Sequence, residues 1–401
     1  MPIAPRRATD RTAPGPRGPS LYRAGAAAVI VLGAAALAAP ATPAAAAGTA
    51  YVAPFTEVTT VDSTVPKNGD VNPYGVAVVP QDEGHLVAGD VLVSNFNNSS
   101  NLQGTGSTVV QISPTGARSV FAHIRLDRTT SDLVGIGLTT ALAVLHNGWV
   151  VVGDLPTTDG KARTATAGGL VVLDDDGQVV ETITGNLLDG PWDLAGVDQG
   201  GSAELFVATV LNGTVAAKGA VVDQGSVVRI RLTTPDPASG IPQVKDEQVV
   251  ASGFPEETNP SALVIGPTGL GLSDSGTLYV ADTIGNRVAT VDDALTRLTS
   301  GGTGTTLSRN GALNGPLGLV VAPDGDVLTV NGGDGNLVDI QSDGTQAAVR
   351  ALDLTGSPAG VGALFGLAVA PDHGGVYFVD DNTNQLDLLG APSSPASGPA
   401  G

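Results

Sequence analysis

Hydrophobic positions in this chain come in short runs, and the runs fall into one repeating phrase. A small or Pro-containing start leads into an apolar strand of the form L-A-V at Asn72, Thr139, Gly190, Asn259, Gly315 and Leu364. After each copy comes a second apolar strand closing on a polar residue, at Asn95, Asp154, Thr209, Asp282, Asn331 and Asp380. A third and fourth strand follow around turns such as Ser113-Pro-Thr-Gly, Asp174-Asp-Asp-Gly and Ser342-Asp-Gly. Self-similarity at such a period marks a repeat architecture, and four short strands per unit make a propeller blade. No sustained helical period occurs beyond the N-terminal region.

The sixth unit is one strand short, because Asn384–Leu389 runs into a Pro/Ser/Gly-rich segment. A lone strand at Phe55–Val61 precedes the first unit. Pairing that strand as the outer strand of the last blade closes the ring and leaves no isolated edge. The expectation is therefore an all-β, six-bladed β-propeller of four-stranded blades, one domain over residues 48–390. Residues 391–401 read as a disordered tail.

The N-terminus has a different pattern. Five arginines (Arg6, Arg7, Arg11, Arg17, Arg23) face one acid, Asp10, and an apolar run follows at Ala24–Ala39. A small-residue stretch, Ala41–Ala47, completes a secretory signal peptide over residues 1–47. The run is too short and too rich in Ala and Gly for a comfortable membrane span. Export to an extracellular or periplasmic location is expected, with no stable span after cleavage.

The residues Leu278-Tyr-Val-Ala-Asp-Thr-Ile-Gly-Asn-Arg-Val288 resemble the core of NHL-type repeats, and Pro316–Val330 and Leu364–Val379 look like weaker copies. That resemblance implies a six-bladed propeller with a binding surface, and no single reaction.

Composition narrows the partners. The net charge of −20 disfavours nucleic acid and anionic membranes, which would be repelled. Cys is absent, so no disulfide supports the exported chain and a large core must, which 42% hydrophobic residues can supply.

The innermost strand of each blade lines the axis, where crowding favours small side chains. The aligned position reads Gly75, Ala141, Asp193, Ala262, Gly318 and Gly366. Asp193 breaks the pattern, next to Trp192. A carboxylate at a narrow axis needs a cation or hydrogen bonds. It is a candidate general base or metal ligand, and the alternative is that it caps neighbouring strand amides. Asp154, Asp282 and Asp380 from the strand-end ring would join it around Ca2+ or another divalent cation, although Asx residues at strand ends also serve turns. Connections leaving the second strands are long in blades 1–3 (Phe96–Ser107, Leu155–Gly168, Val210–Gly225) and short in blades 4–6. Long loops of this kind usually have a purpose. With Tyr74, Trp192, Asn95 and Asn212 nearby, that rim is the candidate binding face. The four histidines, His85, His123, His146 and His373, do not suggest a zinc site.

The main functional expectation is a monomeric exported propeller that binds a protein, glycan or small molecule on this rim without catalysis. The alternative is a divalent-metal-dependent hydrolase or lyase using the central channel, similar to the gluconolactonase family. A third reading is a scaffold in which Ca2+ serves stability alone.

Overall fold

A computed structural model describes residues 48–126 and 131–392. The expected signal peptide and residues 393–401 of the expected tail lie outside the described residues.

Six antiparallel sheets surround one axis. Their inner strands are Val71–Val78, Leu138–Val144, Pro191–Asp198, Pro267–Leu272, Pro316–Val321 and Leu364–Val369. Each packs on the next, and the last packs on the first. Blade 6 is completed by Glu57–Ser63, which pairs antiparallel with Gln385–Gly390, so the ring closes as the strand count implied. Apolar residues of the second and third strands form the cores between blades, because alternate side chains of a strand face opposite blades.

Two register expectations are corrected; in blade 2 an extra residue turns Ala141 into the core shared with blade 3 and leaves Thr140 toward the axis. Asn259–Val264 is not the inner strand of blade 4; it belongs to a hairpin in which the outer strand of blade 3, Gln243–Asn259, turns back onto Leu263–Ile265. The true inner strand begins at Pro267, whose pairing with Asp282 matches Pro316 with Asn331 and Pro191 with Thr209. Gly269, not Ala262, therefore holds the axial position. Asn259-Pro and Gly266-Pro open nearly the same phrase seven residues apart, and only the pairing with the second strand separates them.

The axial glycines are there because the backbones nearly touch. A Cβ on Gly318 would stand 1.8 Å from the carbonyl oxygen of Phe365, one on Gly366 2.2 Å from that of Tyr74, and one on Gly269 2.2 Å from that of Leu317. No side chain fits at such distances, so each blade sets the position of the next.

The segment before the first strand is also fixed. Val52 and Phe55 are buried in the apolar core shared by blades 5 and 6. Arg350 donates to the carbonyls of Phe55 (2.8 Å), Val52 (3.0 Å) and Ala53 (3.0 Å), and the Val52 amide donates to Asp339 (3.0 Å).

The glycine constraint has a direct test. Gly318→Ala must push blades 5 and 6 apart, so urea unfolding should show a loss of about 3 kcal/mol or more. The same change at Gly325, where no atom lies within 4 Å of the added Cβ but φ is +93°, should cost only the strain of that turn, about 1 kcal/mol.

Candidate active site

A cavity of about 270 Å³ lies on the axis, lined by all six inner strands. Its wall is aliphatic side chain and backbone from Val76, Leu142, Leu270, Leu319, Leu367 and their neighbours. Two polar side chains interrupt it, Asp193 of blade 3 and Thr140 of blade 2.

Asp193 occupies the position that the axial glycines hold in blades 1, 4, 5 and 6. Its Oδ2 accepts the Leu270 amide of blade 4 at 2.9 Å, and the Leu194 amide also acts on the carboxyl. The carboxyl thus bridges two inner strands where the other blades bring backbones together. The side chain is 8% exposed and still reaches the cavity wall. Burial raises its pKa to about 7; the two amides pull the other way but do not offset the loss of water. A carboxyl poised at neutrality is suited to take and return a proton.

The axis is filled on the side of the long loops. Tyr74, Trp192 and Phe365, each one residue before an axial position, are all at most 2% exposed. Tyr74 stacks on Phe365 (centroids 3.9 Å apart) and on Phe96 (4.5 Å), with Trp192 6.2 Å from Tyr74 and from Phe365. The Trp192 indole donates to the Val264 carbonyl at 3.1 Å. Tyr74 and Trp192 therefore sit in a plug under the rim. The cavity extends the other way, along the inner strands toward their C-terminal ends. There it shares Leu272, Val320 and Val321 with a depression of about 630 Å³ at the turns of blades 4–6.

The strand-end ring does not converge. Asn95 donates to the Thr64 carbonyl (3.0 Å), and Asp154 accepts the Gly137 amide (2.6 Å). Asp282 takes the Gly285 amide (2.9 Å) and the Arg287 guanidinium (2.8 Å), and Asp380 takes the Thr383 amide (3.3 Å). Asp282 and Asp380 serve turns of their own blades, Asp154 ties down the start of its blade's inner strand, and Asn95 holds the segment that leads into blade 1. Burial raises the Asp380 carboxyl to about 6, with Asp353 adding repulsion, and raises that of Asp154. Among the described residues no group of three or more His, Asp or Glu is arranged to hold a metal ion. The axial cavity offers one carboxyl and one hydroxyl, whereas Ca2+ takes six to eight oxygens. Those two side chains do not by themselves fit a divalent ion.

The long loops build a groove of about 520 Å³ lined by Gln103, Lys161 and Asn259 among others, with Gln103 donating to the Pro260 carbonyl at 2.8 Å. Asn212 is turned inward, donating to the Thr209 carbonyl (3.1 Å) and to Glu256 (3.4 Å). Glu256 escaped sequence reasoning. It lies in the hairpin extension of blade 3, and burial with Asp189 nearby raises it to about 8. Thr140 also escaped, because its exposure to the cavity depends on one extra residue in its strand.

No known family profile matches the chain, and no curated protein does. Similar solved structures include a gluconolactonase from Xanthomonas campestris (16% identity, 84% of this chain and 89% of that one, TM-score 0.48). Another is virginiamycin B lyase from Staphylococcus aureus (13% identity, 83% and 99%, TM-score 0.46). A third is the calcium-binding protein regucalcin from Agrobacterium tumefaciens (15% identity, 83% and 94%, TM-score 0.47). Two expectations are corrected here. The NHL-type resemblance does not hold as a family assignment, since no family profile matches the chain. That resemblance rested on blade 4, whose Asp282 and Arg287 form an ion pair inside one hairpin. The purely binding propeller gives way to the alternative on the axial site itself, where a buried carboxyl with a raised pKa lies on the cavity wall. No helix among the described residues is long and apolar enough to cross a membrane.

The Asp193 environment makes a stability prediction. From the usual carboxylate range up to about 7, the folded chain holds a proton that the unfolded chain has released. This group's stabilising contribution is therefore present at acid pH and lost as pH rises through about 7. Asp193→Asn cannot ionise, so it removes this pH dependence while its amide oxygen keeps the Leu270 bond. Urea unfolding should find the variant equal to the parent near pH 4 and up to about 4 kcal/mol more stable above pH 7.

Proposed function

We propose that this chain is an exported hydrolase or lyase that uses Asp193 for general acid–base catalysis in the axial cavity. The observation that carries the reading is a lone carboxyl, raised to about 7, on the wall of a cavity whose other side chains are aliphatic apart from Thr140. In the hydrolytic form the Asp193 carboxylate takes a proton from water as its oxygen adds to the carbonyl carbon of a lactone or ester. The C–O bond to the leaving oxygen then breaks, and Asp193 returns the proton to that oxygen. Both transfers need a group whose pKa lies near the working pH. The low-polarity wall strengthens each electrostatic contact in the site.

The test is turnover of neutral lactones, aryl esters and cyclic-depsipeptide lyase substrates from pH 5 to 9. A base must be ionised, so kcat/KM should rise through about pH 7 and level off above it. Asp193→Asn should lower it by about 100-fold or more. Folded protein that turns over none of these substrates, or a variant as active as the parent, would overturn the reading.

A further inference from the structure

The segment Ala50–Phe55 lies ahead of the closing strand as a strap across blades 5 and 6, and two carboxyls of blade 5 hold it. The Tyr51 amide donates to Asp326 Oδ2 (3.2 Å), and the next amide, that of Val52, donates to Asp339 Oδ2 (3.0 Å). Val327 pairs with Ile340 and Leu328 with Asp339, so Asp326 and Asp339 project from the same face of the blade. There the two carboxyls are hydrogen-bonded to each other. An ionised carboxylate only accepts, so this contact needs one proton between the two.

Nothing nearby balances the charge the pair would carry without that proton. Asp339 is fully buried and Asp326 nearly so. Among the described residues no Lys, Arg or His nitrogen comes within 4.0 Å of either carboxyl. Arg350, on the outer strand of blade 5, is spent on the strap's carbonyls. The other titratable groups facing the pair are Asp324 and Asp343, on the turns of blade 5, and Tyr51 of the strap, which itself faces Asp324 and Asp372 of blade 6. Two carboxylates in contact cannot both ionise without strong repulsion. Burial, ahead of repulsion from Asp326, raises the Asp339 carboxyl to about 7 against the opposing pull of the Val52 amide. Burial and then Asp324 raise Asp326.

We propose that the Asp326–Asp339 pair is a pH-operated latch on the N-terminal strap, closed while the pair shares one proton and opened when both carboxyls ionise. The docked strap covers the form that holds the proton, so docking and proton binding favour each other. The strap is therefore held at acid pH and loosened as pH rises through about 7. Its release has two structural consequences. Val52 and Phe55 leave the apolar core shared by blades 5 and 6. The Tyr51 hydroxyl lets go of the His373 carbonyl (3.2 Å), and His373 and Asp324 line the depression into which the axial cavity opens. The latch thus couples pH to the mouth of the cavity, whatever the cavity binds.

The test is hydrogen exchange at the Tyr51 and Val52 amides of the full chain, read as protection factors corrected for the intrinsic rate at each pH. In the parent, protection at both amides should fall about tenfold or more between about pH 6 and pH 8.5. Asp339→Asn fixes the latch closed: its amide nitrogen donates to Asp326 as the shared proton did, its amide oxygen still accepts the Val52 amide, and it cannot ionise. Protection in this variant should stay within about threefold over the same range. Asp326→Asn makes the same replacement from the other side and should behave alike, so a folding failure of one leaves the other to decide. Asp193 ionises over the same range in parent and variants alike, so only the latch distinguishes them. Protection that is independent of pH in the parent, or that falls in a folded Asn variant as far as in the parent, would overturn the proposal.

Discussion

The close approach of six inner strands around the axis determines most of this molecule. Where a Cβ on Gly318 would stand 1.8 Å from a neighbouring carbonyl oxygen, packing leaves no choice of residue. The same crowding places the residues before the glycines, Tyr74, Leu317 and Phe365, close enough to fill the axis on one side. It also explains why the cavity is small and mostly aliphatic, since little more than backbone and branched side chains fits around it.

Against that background two inner strands depart from the pattern. Blade 3 puts a carboxyl where its neighbours put glycine, and the Leu270 amide compensates part of the cost of burying it. Blade 2 inserts a residue and brings Thr140 into the cavity lining. Neither strengthens the fold. Asp193 destabilises it increasingly as it ionises, and an unpaired Thr140 hydroxyl costs what its missing bond would have returned. Sites that weaken the fold locally are where function tends to sit. The site lies beyond the aromatic plug from the long-loop rim, so the loops that looked functional from their length do not reach it.

The architecture was legible in the sequence because each blade repeats the same physical demand. An apolar run and a polar strand end recur six times, with a small residue at five of the six aligned axial positions, and the strand missing from blade 6, expected at Phe55–Val61, is found at Glu57–Ser63. Asp193 was legible for the same reason, as a break in a strict pattern. Thr140 was not, because a one-residue bulge changes which side chain faces the axis without changing the look of the phrase. Blade 4 was misaligned where Asn259-Pro and Gly266-Pro compete. The roles of Asp154, Asp282 and Asp380 were undecidable from sequence, since a turn and a cation ask for the same oxygen. Only their partners, backbone amides and Arg287, distinguish the two.

Everything proposed for the axis depends on the ionisation of one side chain. The most direct measurement is the side-chain carboxyl 13C shift of Asp193, assigned by comparison with Asp193→Asn and followed by NMR from pH 3 to 9. The account requires a midpoint of about 7. A midpoint in the ordinary aspartate range, about 4, would contradict it. The carboxyl would then be a fully ionised strap between blades 3 and 4, with no proton to exchange at neutral pH.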